Sequence, residues 1–186
     1  MQQILPVAYT ISHQDSLIQW GQDHLVARVP GHSDFWNVTH YGFTYFSGLT
    51  LLKEAPGNFV LETNLVADYR EQFDQTGIIL MLDQNHWIKT GIEFVDGKKW
   101  LSVVVTHDVS DWSVRPVDQA AERIRVRLHR EGDFCEISFS VDGNPFEMAR
   151  LAPFAPSSGL KAGFMGAAPK GNGFIATFEN ILWKTL

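Results

Sequence analysis

The chain has 186 residues, of which 45% are hydrophobic and 19% charged, and carries a formal net charge of -6. That composition belongs to a folded globule, long enough for one domain over 1–186 with a sizeable core, and it excludes bulk disorder. The negative balance, with no basic cluster to offset it, excludes a general affinity for polyanions, so no nucleic-acid partner is expected.

Residues 4–20 show no clear period, and Leu17 and Trp20 are the candidates to tuck under a sheet edge. Alternation over 24–29 (HLVARV) predicts a strand closed by the turn signal Pro30-Gly31. Asp34, Phe35 and Trp36 then read as loop. Aromatic and β-branched residues over 43–53, with Ser47-Gly48 in the middle, predict a hairpin. After the turn Pro56-Gly57-Asn58, residues 59–69 alternate as a long strand with Phe59, Leu61, Thr63, Leu65 and Ala67 on one face.

Three consecutive strands follow, over 75–83, 87–95 and 100–107. Ser110-Asp111-Trp112-Ser113 reads as a loop that holds an exposed indole, and 114–122 as more loop. DQAAERIR, over 118–125, is the one short helical candidate. Residues 123–130 (RIRVRLHR) alternate cleanly, with Ile124, Val126 and Leu128 inward. Arg123, Arg125, Arg127 and His129 lie outward as a solvated face. Turns at Glu131-Gly132-Asp133 and Asp142-Gly143-Asn144 bracket a strand over 134–141, and strands over 146–151, 160–166 and 174–183 close the chain. Ten to thirteen short strands without a rival helix pattern predict an all-β fold, a jelly-roll sandwich of two antiparallel sheets.

Several classes of chemistry have no footing in the sequence. The seven histidines show no ligand spacing, so no metal is expected. No glycine-rich loop leads from a strand into a helix, so no nucleotide cofactor is expected. The lone Cys135 alternates within its strand as a buried, inert thiol, which fits a reducing compartment. The N-terminus lacks the pattern of a secretion signal and no apolar run would span a membrane. The cytoplasm is therefore the expected location, with no membrane partner.

The central strand carries the functional expectation. Its parity sends Ile88, Thr90, Ile92 and Phe94 to one face and Trp87, Lys89, Gly91 and Glu93 to the other. The first set is an ordinary core face. The second reads as a concave ligand face: an indole to stack on a sugar ring, a gap for close approach, and charges to bond hydroxyls. Gln75 on the neighbouring strand, Trp112 and Arg150 complete the expected groove. Its partner would be a carbohydrate or small polar ligand. The alternative is a glycosidase-like enzyme with Glu93 as acid or base, which needs a second carboxyl group that no spacing in the chain identifies.

DFW at 34–36, DQTG at 74–77, WIKTGIE at 87–93, LSVVVT at 101–106, SDWS at 110–113 and DG at 142–143 together resemble one family, over roughly 25–183. It is the domain-of-unknown-function family related to the fungal regulation of enolase protein, placed among concanavalin A-like lectins and glucanases. The resemblance implies a two-sheet jelly roll with a concave face, and sugar binding as the superfamily theme. It implies no established activity. The family name adds a protein partner, through regulation of a metabolic enzyme, as a third reading. The paired-acid motif of the related glucanases is absent.

Overall fold

The computed structural model describes residues 8–155 and 158–186, so residues 4–7 of the unpatterned N-terminal stretch lie outside the described residues. In chain order the strands begin with β1 (Thr10–Ile11), β2 (Leu17–Trp20), β3 (Leu25–Pro30), β4 (Phe35–Asn37) and β5 (Thr44–Phe46). Next come β6 (Leu49–Glu54), β7 (Phe59–Ala67), β8 (Gln75–Asp83), β9 (His86–Val95), β10 (Lys98–His107) and β11 (Val109–Pro116). The last are β12 (Ile124–Glu131), β13 (Phe134–Val141), β14 (Glu147–Pro153), β15 (Lys161–Ala167) and β16 (Gly173–Thr185).

They form two seven-stranded antiparallel sheets and one small two-stranded sheet. The first sheet has the order β1-β6-β15-β8-β9-β10-β11, and the second β14-β13-β12-β7-β16-β3-β2. β4 and β5 pair only with each other. The all-β sandwich expected from alternation is the fold. Ile78, Leu80, Ile88, Ile92, Leu101 and Val103 of the first sheet join Leu61, Leu65, Val126, Leu128 and Phe178 of the second in one buried cluster. Burying one face of each sheet against the other is what makes two amphipathic sheets stable together.

Local expectations differ from the structure in four places. Residues 109–116 form edge strand β11, not a loop, because eight consecutive residues pair with β10 in unbroken register. The chain reverses tightly at Asp108, with φ 63, and Pro116 ends the strand where a missing N–H costs nothing. Residues 118–125 are no helix. Gln119 spends its side chain on Lys99 and Val117 carbonyls, and β12 begins at Ile124.

Phe35 and Trp36 lie on β4, not in a loop. The expected 43–53 hairpin does not form either: β5 turns back onto β4, while β6 crosses to pair with β1 and β15. Ser47-Gly48 is therefore the passage from the small sheet into the large one. Leu17 and Trp20 do lie on an edge, on β2, half-buried against the main cluster.

The outward arginines of β12 are organised by one buried acid. Arg125 Nε and Arg127 Nε reach Glu62 at 2.8 and 2.6 Å. Cys135 is fully buried, and burial pushes its thiol up to about 12, so it remains an unreactive core residue.

A candidate ligand cavity under the hairpin

The parity expected for β9 is the parity observed. Ile88 and Ile92 face the main core, while Trp87, Lys89 and Glu93 face the other way. That other face is not open, however. The β4–β5 hairpin lies over it and creates a second buried cluster of Phe35, Trp36, Leu52, Ile79, Met81, Trp87, Val104 and Met165. Trp87 is 0% exposed. Its ring meets Phe35 at 6.4 Å and Phe46 at 6.3 Å, and its Nε1 donates to the Gln84 carbonyl at 3.0 Å. The indole expected to stack on a ligand is instead the post on which the hairpin rests.

The hairpin is fixed by polar bonds as well, at the end of β4 nearest its tip. The Asn37 N–H donates to Ser110 Oγ at 2.9 Å, and its side-chain amide donates to the Gln84 carbonyl at 3.2 Å. At the tip the backbone is strained. Thr39 N–H donates to the Asn37 carbonyl and Tyr41 N–H to the Thr39 carbonyl, at 2.8 and 2.7 Å. These i→i+2 bonds close around Val38 and His40, with φ of 63 and 64. Two such γ-turns with positive φ at non-glycine residues are costly, the β-branched Val38 most of all. Phe73 is a third left-handed residue beside the same opening, with φ 68.

Beyond the end of Trp87 the cover is incomplete. A cavity of about 130 Å³ remains between sheet and hairpin. Its floor carries Lys89, Glu93, Val104 and Trp112; its roof and rim carry Asp34, Trp36, Tyr41, Phe43, Phe73, Pro169 and Lys170. Trp112 is half-buried on β11, not projecting from a loop. It meets Trp36 edge-on at 6.5 Å and donates from Nε1 to Ser102 Oγ at 3.0 Å.

Lys89 is 4% exposed and donates from Nζ to Gln75 Oε1. The register sets Gln75 opposite Glu93 and Gly77 opposite Gly91, so this bond passes over the paired glycines. Gly91 does not serve as the expected gap for a ligand. A Cβ there would meet the Thr76 carbonyl at 1.9 Å, so the residue instead lets β8 and β9 approach each other.

Glu93 is 6% exposed, and its Oε2 is buried without a hydrogen-bond partner. Burial pushes its carboxyl up. Lys89 acts against this, as do Ser102 and Trp112, while the Asp34 carboxylate reinforces it, and the net direction is upward.

Of the six expected site residues, Lys89, Glu93 and Trp112 line this one cavity, and Gln75 holds Lys89 from beside it. Trp87 is sealed beneath the roof. Arg150 lies elsewhere: its guanidinium reaches Asp111 at 2.7 Å and Ser113 at 3.0 Å, tying β14 of the second sheet to β11 of the first.

A family model described as protein of unknown function (DUF1349) matches residues 14–186. The chain belongs to the DUF1349 family. This DUF1349 protein is 36% identical over 147 residues to regulation of enolase protein 1 of Saccharomyces cerevisiae, covering 79% of this chain and 74% of the relative. The crystal structure of a functionally unknown protein from S. cerevisiae matches it with a TM-score of 0.88 at 31% identity, over 96% of this chain and 97% of that one. A xylan β-1,4-xylosidase from Bacillus halodurans shares the fold, with a TM-score of 0.69 at 15% identity, over 87% of this chain and 32% of that chain.

Sequence reasoning missed Asp34, Trp36, Tyr41 and Phe43 of the DUF1349 cavity. A signal for them existed: six of the twelve residues from Phe35 to Phe46 are aromatic. A connecting loop has no need of that density.

Proposed function

We propose that this protein is a binding module for a carbohydrate or similar small polar ligand, seated between the first sheet and the β4–β5 hairpin. The observation that carries the reading is Glu93 Oε2, a buried carboxyl oxygen without a partner, on the wall of a cavity that also presents aromatic rings and other charged side chains. A buried polar atom left unpaired costs free energy that a ligand hydroxyl would recover. Trp112 and Trp36 present flat apolar surface to the C–H faces of a ring, and a few polar groups fix its orientation.

The test is calorimetric titration with a panel of mono- and disaccharides. Wild type is expected to bind at least one with a Kd in the range of about 10 μM to 1 mM, and Trp112→Ala to weaken it about tenfold or more. No binding by wild type, or equal binding by the variant, overturns the reading.

One observation favours a catalytic version of the same site. Asp34 lines the cavity with Glu93 and is the candidate for the second carboxyl group that such a reaction needs. One buried and one half-exposed acid is the asymmetry that general acid–base cleavage of a glycosidic bond uses. Reducing ends released during the titrations would support catalysis, and their absence with every bound sugar would reject it. The name of the yeast relative motivates a further proposal, an interaction with enolase. Sedimentation of the purified protein with enolase tests it, and two independent boundaries would reject it.

A further inference from the structure

We propose that the ligand of this cavity carries a carboxylate, as a uronic-acid residue does, and that Lys89 is the group that reads it. The inference rests on the binding reading above and names the ligand class.

The argument is one of unspent donors on a buried cation. Lys89 is buried, its hydrogen-bond acceptor is the neutral amide of Gln75, and the Phe35 ring lies 6.0 Å from its Nζ. Among the described residues no carboxylate forms an ion pair with it inside 4.0 Å. An ammonium withdrawn from water is unfavourable unless acceptors take its donors, best of all a carboxylate in direct contact.

Four charged side chains line the cavity: Lys89, Lys170, Asp34 and Glu93. Lys89 spends one of its three N–H donors on Gln75, so two remain for a ligand in the cavity. A ring acid can use them. Its carboxylate would accept a charge-assisted bond from Lys89, with exposed Lys170 at the rim attracting it on approach. A ring hydroxyl would pair with Glu93 Oε2, the buried oxygen that has no protein partner.

Matched titrations decide the matter: D-galacturonate against D-galactose, D-glucuronate against D-glucose, and the acyclic sugar acid D-gluconate. The uronates are expected to bind about tenfold or more tightly than their neutral parents. Lys89→Met is expected to abolish that preference, and Lys170→Ala, a rim change that leaves the fold undisturbed, to reduce it about two- to threefold and flatten its salt dependence. Neutral sugars binding as tightly as uronates would overturn the carboxylate claim while leaving the binding module standing. A preference that survives both substitutions would equally overturn the role of Lys89. Gluconate binding as tightly as the uronates would overturn the ring-acid assignment in favour of an acyclic acid. Silence from every sugar and acid would remove the binding reading itself.

Discussion

The two faces of the first sheet are made by the same strands and solve different problems. The inner face is covered by a second sheet of equal width and is mostly apolar, with Ile78, Leu80, Ile88, Ile92, Leu101 and Val103 beside the buried Thr76 and Thr90. The outer face is covered by two three-residue strands. Where that small roof reaches, the sheet below carries Ile79, Met81, Trp87 and Val104. Where it stops, Lys89, Glu93 and Ser102 begin, still buried but polar. A full cover makes a core, and a partial cover makes a pocket. The extent of the lid decides which residues of one strand serve stability and which are left to chemistry.

The sharpest way to break this contrast is to remove the post beneath the roof. Trp87→Ala should destabilise the protein by about 3–5 kcal/mol, the cost of deleting a fully buried aromatic side chain. The urea midpoint measures it, with Ile92→Ala on the inner face as the reference. If the outer substitution costs well under half the inner one, the hairpin is a loosely attached flap and the second cluster is no true core.

Glu93→Gln should act with opposite sign. Burial holds the Glu93 carboxyl above its ordinary value of 4.5. The folded protein therefore keeps a proton that the unfolded chain has released. The contribution of this group to stability is greatest in acid and is lost as pH rises from the unfolded value through the folded one. The glutamine variant should be more stable than wild type near neutrality, with the gain fading towards about pH 4. Calorimetric Tm values across that range check it, and a gain that grows in acid would contradict the assignment.

The smallest effect is expected away from both faces. Arg150 joins the sheet edges through Asp111 and Ser113, and Asp111 is mostly exposed. Arg150→Ala should cost no more than about 1 kcal/mol. It should leave ligand titrations unchanged, since the residue does not line the cavity. A loss of binding would place the site at the β11–β14 seam instead.

The inner face is legible in the sequence because alternation is a local signal, and every strand of the central three can be read from it. The parity of Trp87, Lys89 and Glu93 comes from the same signal. What covers that parity is not legible, because the cover comes from residues about fifty positions earlier and no period links them. Asp34 to Trp36 looks like loop because a three-residue strand is too short to show alternation. The β11 strand is hidden by Ser110, Asp111, Ser113 and Pro116, residues that elsewhere mark turns. Arg150 belongs to the seam and not to the groove, a distinction that needs the register between strands remote in sequence.

The small sheet shares no ladder with either large one. Evolution could therefore lengthen, shorten or rewrite the segment between Asp34 and Phe46 without touching the pairing of the sandwich, provided Phe35 and Asn37 keep their seats. Relatives that recognise different molecules would be expected to diverge there first. An engineer wishing to change the guest should graft that segment and leave the strands beneath it alone.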